Sequence, residues 1–176
     1  VFKMTAGELI YGGSGGKQSD GGDIRILSLA PNVTGGTIRL TGGGANKEVL
    51  VSSTTKFYNL SCEGSNQEVV LWGTPLEVSN DLKITANAKL TAENVDLTLC
   101  GSLICDGEYE GKGNQTIFWG NTQTISGNAT KLTFNDVSVQ SVNSLTYQTP
   151  IAAEVNGNLT VSNSGVLNLL SSVWKL

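Results

Sequence analysis

The sequence predicts an all-β protein, specifically a right-handed parallel β-helix, or β-solenoid, with short strands and about seven coils. Apolar and polar residues alternate with period two along the chain, and no segment keeps a helical period for three turns. The sequence also matches itself at fixed shifts, which is typical of repeat architectures. The 22 glycines and the charged fraction of only 15% agree with short strands joined by tight turns. A Greek-key β-sandwich is the alternative fold.

Plain in-out alternation marks the individual strands. In chain order these strands are predicted over residues 37–41, 81–85, 89–93, 95–99 and 158–162. Glycine and asparagine lie between the strands, at Gly35-Gly36, Asn80, Asn87, 156–158 and Gly165. These residues adopt positive φ most easily, so they favour tight turns between coils.

The longest self-match of the sequence carries residues 57–99 onto 134–176 without a gap. In this long self-match Phe57 meets Phe134 and Leu99 meets Leu176. A sandwich does not explain a gapless match that ends within a strand. The match predicts a superrepeat that covers about three or four coils of a solenoid.

A second, short self-match aligns residues 4–9 with 33–38, and in the same alignment Tyr11 meets Leu40. Shorter motifs recur roughly every 20 to 30 residues, which suits a coil of two or three short strands. Because neighbouring strands lie about 4.8 Å apart, about seven stacked coils would form a rod roughly 35 Å long.

The two termini indicate a single solenoid segment over 1–176 that is a fragment of a longer repetitive chain. Residues 1–5 resemble the middle of a strand and lack the basic and apolar regions of a signal peptide. Residues 173–176 end without a polar tail. Since unpaired strand edges recruit further strands, we expect flanking coils of the same chain or end-to-end self-association, with surface glycans or a secretion or cell-surface protein as further candidate partners.

Composition excludes several classes of function. The chain has no histidine, so it cannot build a Ser-His-Asp or Cys-His nucleophile, a histidine-ligated zinc site or an imidazole pH switch. Its formal net charge of −4, with scattered basic residues, argues against a nucleic-acid partner. No stretch approaches the roughly 20 apolar residues that span a bilayer, so no membrane insertion is expected.

The cysteines, Cys62, Cys100 and Cys105, are odd in number and contain no CxxC pair. We expect free and mostly buried thiols, with a Cys100–Cys105 disulfide as the alternative. A cysteine-only metal site would lack its fourth ligand.

The segment 106–139 contains a distinctive run, with Gln115-Thr116-Ile117-Phe118 and Thr122-Gln123-Thr124-Ile125-Ser126-Gly127 followed by 132–139. It resembles a repeat of large, secreted β-helical surface proteins of the Bacteroidota. Motifs of the same repeat also occur at residues 33–38, 57–62 and 157–161. The resemblance implies an adhesin-like protein exported by type IX secretion to the cell surface or the medium. It implies no catalytic residues. The chain departs from the pattern at 41–53, where we expect a loop between coils.

We therefore expect a non-catalytic structural or adhesive rod at the bacterial cell surface. The alternatives are a carbohydrate-binding module on a β-helix and, less favoured, an enzyme similar to polysaccharide lyases. Such an enzyme needs clustered acids with a basic partner. Here Asp81, Asp96 and Asp136 stand singly on their strands, and Arg25 and Arg39 are the only arginines.

Candidate binding residues follow from the two alternatives to a plain rod. Trp72, Tyr109 and Trp119 would bind a surface glycan by ring stacking if they shared an outer face; otherwise they pack in the core or under loops. Asp106, Glu108 and Glu110 alternate, so they could bind Ca²⁺, with a solvated turn as the simpler interpretation. No other cofactor is expected. The glycine-rich stretch 12–23 is predicted to be a flexible loop on the first coil.

Overall fold

The computed structural model describes residues 1–13, 22–28, 31–42, 48–64, 66–140, 144–162, 164–170 and 174–176. Throughout these ranges the regular elements are all short β-strands, and no helix is present. The all-β prediction is confirmed.

The strands are numbered in chain order. The first twelve are β1 (Lys3–Met4), β2 (Glu8–Tyr11), β3 (Ile24–Ile26), β4 (Asn32–Val33), β5 (Thr37–Leu40), β6 (Glu48–Ser53), β7 (Asn59–Cys62), β8 (Gln67–Leu71), β9 (Leu76–Val78), β10 (Leu82–Ile84), β11 (Ala88–Glu93) and β12 (Leu97–Leu99). The others are β13 (Leu103–Cys105), β14 (Glu108–Lys112), β15 (Gln115–Phe118), β16 (Thr122–Ser126), β17 (Lys131–Phe134), β18 (Asp136–Val139), β19 (Ser144–Tyr147), β20 (Ala153–Val155), β21 (Leu159–Val161), β22 (Leu167–Asn168) and β23 (Trp174–Lys175).

Three parallel sheets form the sides of a coil stack. Sheet 1 has the order β2-β5-β7-β10-β13-β16-β19-β22, sheet 2 β3-β6-β8-β11-β14-β17-β20-β23, and sheet 3 β9-β12-β15-β18-β21; β1 and β4 form a separate parallel pair. From β7 onwards the chain visits sheets 1, 2 and 3 in turn, so three strands close each coil; in the described part of the two earlier coils, sheet 3 has no strand. About six turns are formed, close to the expected seven. The predicted β-solenoid is confirmed.

Strand registers show how far the chain advances in one coil. In one ladder of sheet 1, Leu60 pairs with Leu82 and Leu82 pairs with Leu103. The first coil is longer, because Leu9 pairs with Ile38. The short self-match is therefore the register of the first coil on the second. The predicted loop over 12–23 belongs to this longer coil, but 14–21 lie outside the described residues.

The long self-match aligns strands with strands, but the two strands of each aligned pair lie in different sheets. It carries β7 (59–62) onto β18 (136–139), β9 (76–78) onto β20 (153–155) and β10 (82–84) onto β21 (159–161). These pairs run from sheet 1 to sheet 3, from sheet 3 to sheet 2 and from sheet 1 to sheet 3. Since β18 is the eleventh strand after β7, the shift equals three coils and two further strands. The match therefore reflects strand and turn chemistry that all three sides share.

The core lies inside the coils, where inward side chains stack in ladders along the axis. Leu60, Leu82 and Leu103 follow one another in one ladder and are all 0% exposed. Cys62 and Cys105 lie in the neighbouring ladder, on either side of Ile84. The three cysteines are free thiols, so the alternative Cys100–Cys105 disulfide is not formed. Burial raises the pKa of the Cys105 thiol to about 12, so this thiol stays neutral in the core.

Asparagine and glycine turn the chain at the corners. Asn66 and Asn87 have φ of 57° and 64° on successive coils, and the Asn66 N–H donates to the Asn87 carbonyl at 2.9 Å. Gly127 has φ of 105°, and a Cβ there would meet the Cys105 carbonyl oxygen. Asn tolerates the left-handed region through local side-chain bonding, whereas Gly127 also needs the missing side chain.

The loop expected over 41–53 is only partly correct. Glu48–Ser53 forms β6, which pairs with β3 and β8 in sheet 2. Its alternation is hidden because Leu50, beside the inward Val49 and Val51, is also buried, at 4% exposure. A strand buried on both faces has no period-two pattern to detect. Residues 43–47 lie outside the described residues.

Candidate functional site

Tyr109 does not lie on the outer surface, contrary to its proposed role in glycan stacking. The side chain is 0% exposed, and its ring centroid lies 5.1 Å from that of Phe134. The hydroxyl forms a buried 2.7 Å hydrogen bond with the Thr116 hydroxyl. Tyr109 stands between Glu108 and Glu110 on β14, so period two sends it inward once the two acids point outward. The sequence therefore contained the signal that Tyr109 belongs to the core.

The two predicted tryptophans lie on different sides of the stack. Trp119 is 61% exposed and follows β15 of sheet 3, whereas its neighbour Phe118 is 0% exposed. Trp72 is half-buried and follows β8 of sheet 2. Within the described residues its indole N–H has no hydrogen-bond acceptor. The structure therefore does not bring the three predicted rings into one outward row.

The acids proposed as calcium ligands separate into two places. Asp106 lies in the turn before β14, and its carboxylate accepts the Asn128 N–H at 2.9 Å. Glu108 and Glu110 share the outer face of β14, as their alternation predicted. Over the described ranges, no group of three or more Cys, Asp or Glu side chains gathers in a way that could hold a metal ion. The predicted trio is therefore not assembled as a site.

Glu110 is instead part of an ion-pair ladder that crosses the outer face of sheet 2. Lys89 contacts Glu110 at 2.6 Å and Glu68, one coil back, at 3.2 Å, while Lys112 reaches Glu110 at 3.6 Å. The Lys89 hydrogen bond holds the pKa of Glu110 below its ordinary value. This ladder joins three successive coils and places two lysine ammonium groups beside the Glu110 carboxylate, which disfavours a metal cation there.

A groove of about 370 Å³ runs beside this ladder. Asn66, Asn87, Glu68 and Lys89 line it together with Thr130 from a later coil. It is open and polar, whereas small-molecule pockets are concave and mostly apolar. It carries no aromatic platform for a sugar ring among its described lining residues.

Among the described residues, acidic side chains contact an arginine only at Arg39. An arginine with neighbouring carboxylates is the arrangement that a lyase-like site requires. Arg39 binds Glu63 in a bidentate pair, with Nε–Oε1 at 3.0 Å and Nη2–Oε2 at 2.7 Å, and its Nη1 reaches Glu8 at 3.1 Å. The Ser61 hydroxyl donates to Glu63 at 2.7 Å.

The electrostatics of this cluster favour a structural pairing. The Arg39 hydrogen bond is the largest of the effects that hold the pKa of Glu63 below its ordinary value. Both carboxylates raise the pKa of Arg39, so the Arg39–Glu63 pair keeps its charges at neutral pH. A general acid or base needs the opposite, a pKa moved towards the working pH. The cluster fastens the first three coils of sheet 1, because Glu8, Arg39 and Glu63 lie on successive coils.

The isolated strand acids have a role that sequence analysis missed. A carboxylate oxygen of each accepts a backbone N–H at the start of a strand on the following coil: Asp81 from Ser102 at 2.9 Å, Asp96 from Gln115 at 2.8 Å and Asp136 from Asn158 at 2.7 Å. Asp106 does the same for Asn128 in a turn. We call these four residues the coil-capping aspartates. Their partners lie 19 to 22 residues ahead, about one coil. That recurrence is the signal that could have revealed them.

Comparison of the chain with family models, curated proteins and solved structures finds no match. No helix in the described part of the chain is long and apolar enough to cross a membrane. The function of the chain must therefore be inferred from the chemistry and geometry of its own residues.

Proposed function

We propose that this chain is a non-catalytic rod segment of a secreted bacterial surface protein, with a structural or adhesive role. The observation that carries the proposal is the unbroken bonding from coil to coil. Sheet 1 runs through eight strands, and the coil-capping aspartates and the Lys89 and Arg39 ladders all link one coil to the next. Polar side chains that could do chemistry are used to hold the stack together.

The mechanism of such a segment is mechanical. Each coil is fastened to its neighbours by parallel ladder hydrogen bonds and by stacked apolar side chains, so the stack resists bending and keeps two attachment points apart. The resemblance to Bacteroidota surface proteins supports an extracellular location and a longer parent chain. Neither a metal nor an organic cofactor is needed for this role.

An immunoblot of the producing cells tests the proposal. Antibody against the folded chain is applied to cell-surface, medium and intracellular fractions. We expect the signal at the surface or in the medium, in a polypeptide far larger than 18.4 kDa. A signal confined to the intracellular fraction, at a mass near 18.4 kDa, would contradict the rod proposal.

A carbohydrate-binding module is the second candidate, and the exposed Trp119 is the observation that favours it. A single exposed indole can stack on one sugar ring, although the core position of Tyr109 removes the row of rings first expected. A glycan array separates the candidates: a glycan retained by the wild-type chain and lost by Trp119→Ala supports binding. Trp72→Ala is the matched control, because Trp72 is half-buried on another side.

A further inference from the structure

A row of outward side chains follows the coil axis where sheet 3 turns into sheet 1. On the inside of this edge one ladder contains Phe57, Val78, Leu99 and Phe118, each 0% exposed. The residue after each of them lies outside, because side chains alternate along an extended chain. We call these residues, with the one that follows on the next coil, the corner row: Tyr58, Ser79, Cys100, Trp119 and Gln140.

The backbone bonds of the corner row repeat from coil to coil. On four successive coils the row residue donates its N–H to the carbonyl of the inward residue one coil back, over 2.8 to 2.9 Å. Because the same bond recurs, the five side chains stand in one line. Tyr58 and Trp119 lie three coils apart in this line, a separation of about 14 Å at roughly 4.8 Å per coil.

Tyr58 and Trp119 are aromatic, and two short side chains separate them. Trp119 is 61% exposed and Tyr58 is half-buried, while Ser79 and Cys100 lie between the two rings. Among the residues that the structure describes, neither ring makes a hydrogen bond or a ring contact. The Tyr58 hydroxyl and the Trp119 indole N–H are therefore available to a ligand. The row is a low floor with an aromatic ring at either end.

The surroundings of the corner row are polar and carry little net charge. Lys56 and Glu77, on the outward row beside it, pair with each other at 3.8 Å. The other members of that neighbouring row are uncharged: Thr98, Ile117 and Ser138. On the opposite flank Gly101 and Gly120 have no side chain, and a Cβ on either would meet a backbone carbonyl oxygen of the preceding coil. The approach to the rings is therefore open.

A neutral oligosaccharide fits this combination of groups. Sugar rings stack their apolar faces on aromatic rings, and their hydroxyl groups exchange hydrogen bonds with hydroxyl and amide groups such as those of Ser79 and Gln140. A monosaccharide reaches only one of the two rings, because they are three coils apart. A chain of several sugar units along the axis reaches both. Single-stranded nucleic acid also stacks on aromatic rings, but it needs a positively charged groove, which this row does not provide.

We propose that the corner row binds a neutral oligosaccharide chain that lies parallel to the coil axis, with Trp119 and Tyr58 stacked on two different sugar units. The inference rests on the carbohydrate-binding candidate above. It adds a second contact, a direction and a minimum ligand length. The row of rings expected from the sequence exists, with Tyr58 in place of Trp72 and Tyr109.

Calorimetric titration with linear neutral oligosaccharides of glucose, mannose and xylose, from monosaccharides to hexasaccharides, tests the proposal. We expect the affinity to rise with chain length until both rings are covered. Trp119→Ala should weaken binding at every length. Tyr58→Ala should weaken only the long chains, by about tenfold, because one stacking contact is lost. Tyr58→Phe is the matched control, since it keeps the ring, and should bind as the wild-type chain does.

The outcomes separate the inference from the candidate function on which it rests. If Trp119→Ala loses binding and Tyr58→Ala binds long chains as tightly as the wild-type chain, the two-ring row is overturned and the single-ring candidate stands. If the wild-type chain binds none of these sugars, both are overturned. A destabilising effect of Tyr58→Ala would weaken short and long ligands alike, so the dependence on length identifies the contact.

Cys100 provides a second readout that needs no ring variant. Its thiol is free and partly exposed in the corner row, whereas the thiols of Cys62 and Cys105 are buried. An oligosaccharide at about ten times its Kd should slow alkylation of Cys100 by iodoacetamide about tenfold, because only the unbound fraction reacts. A sugar that the chain does not bind is the control and should leave the rate unchanged. An unprotected Cys100 under a bound hexasaccharide would overturn the proposal, since the ligand would then lie elsewhere.

Discussion

The central and terminal coils of this solenoid carry the same kind of sequence and differ in what covers them. Leu9, Leu60 and Leu82 belong to one ladder, and each stands on a short strand of sheet 1. In the central coils Leu60 and Leu82 are 0% exposed, whereas Leu9 is 40% exposed. Burial is therefore conferred by the neighbouring coil rather than by the strand itself. In a stack of this kind, stability is largely a property of interfaces between coils.

The largest expected effect comes from replacing leucine at two positions of one ladder, Leu82 in a central coil and Leu9 in the first coil. Leu82→Ala should lower the free energy of unfolding by about 2–5 kcal/mol, because it leaves a cavity between two coils. Leu9→Ala should lower it by about 1 kcal/mol, since part of that side chain already contacts water. Urea denaturation of dilute protein measures both. Equal losses would show that the first coil is covered as fully as the centre.

Replacing a coil-capping aspartate should cause a loss of stability of intermediate size. Asp81→Ala should destabilise the chain by about 1 kcal/mol, because the Ser102 N–H loses its 2.9 Å acceptor. Asp81→Asn should recover most of the loss, since its amide oxygen can accept the same bond. Thermal unfolding of the three proteins checks this. If the amide variant were as unstable as the alanine variant, negative charge rather than hydrogen bonding would be the requirement.

The smallest expected effect concerns the Arg39–Glu63 pair, which lies near the N-terminal end. Because its pKa is held below its ordinary value, Glu63 contributes stability above about pH 4.3, and the contribution is lost as pH falls through the lowered value. Glu63→Gln should therefore lower the urea midpoint slightly at pH 7, and by less than Asp81→Ala lowers it. In strong acid Glu63→Gln should leave the midpoint unchanged. A shift that persisted unchanged in acid would remove ionisation as its cause.

Much of the fold could be predicted from the sequence because a solenoid repeats one local arrangement, a short alternating strand followed by a tight turn. Alternation located β5, β10, β11, β12 and β21, and the short self-match was the register of the first coil. β6 was missed because Leu50 is buried on the face that is outward in other strands. The long self-match found strands correctly and could not reveal their sheet, since all three sides use the same kinds of residue.

The candidate site was less predictable than the fold. Side-chain direction follows from period two, and the consecutive Phe118 and Trp119 accordingly point opposite ways, at 0% and 61% exposure. Partners one coil away are set by coil length, which is greater in the first coil than in the central ones. The pairing of Asp81 with Ser102 or of Arg39 with Glu63 therefore required the registers themselves.

The nearly constant length of the central coils has a consequence for how such a chain folds. Residues that are hydrogen-bonded between these coils lie 18 to 24 residues apart, as in the pairs Asn94–Lys112 and Leu99–Gln123. The loop that must close for each new contact therefore stays about the same size, and its entropic cost does not grow with the length of the chain. A completed coil offers a template edge for the next, so folding can advance along the axis one coil at a time. A much longer chain of this design would fold by repeating a step that this segment already contains.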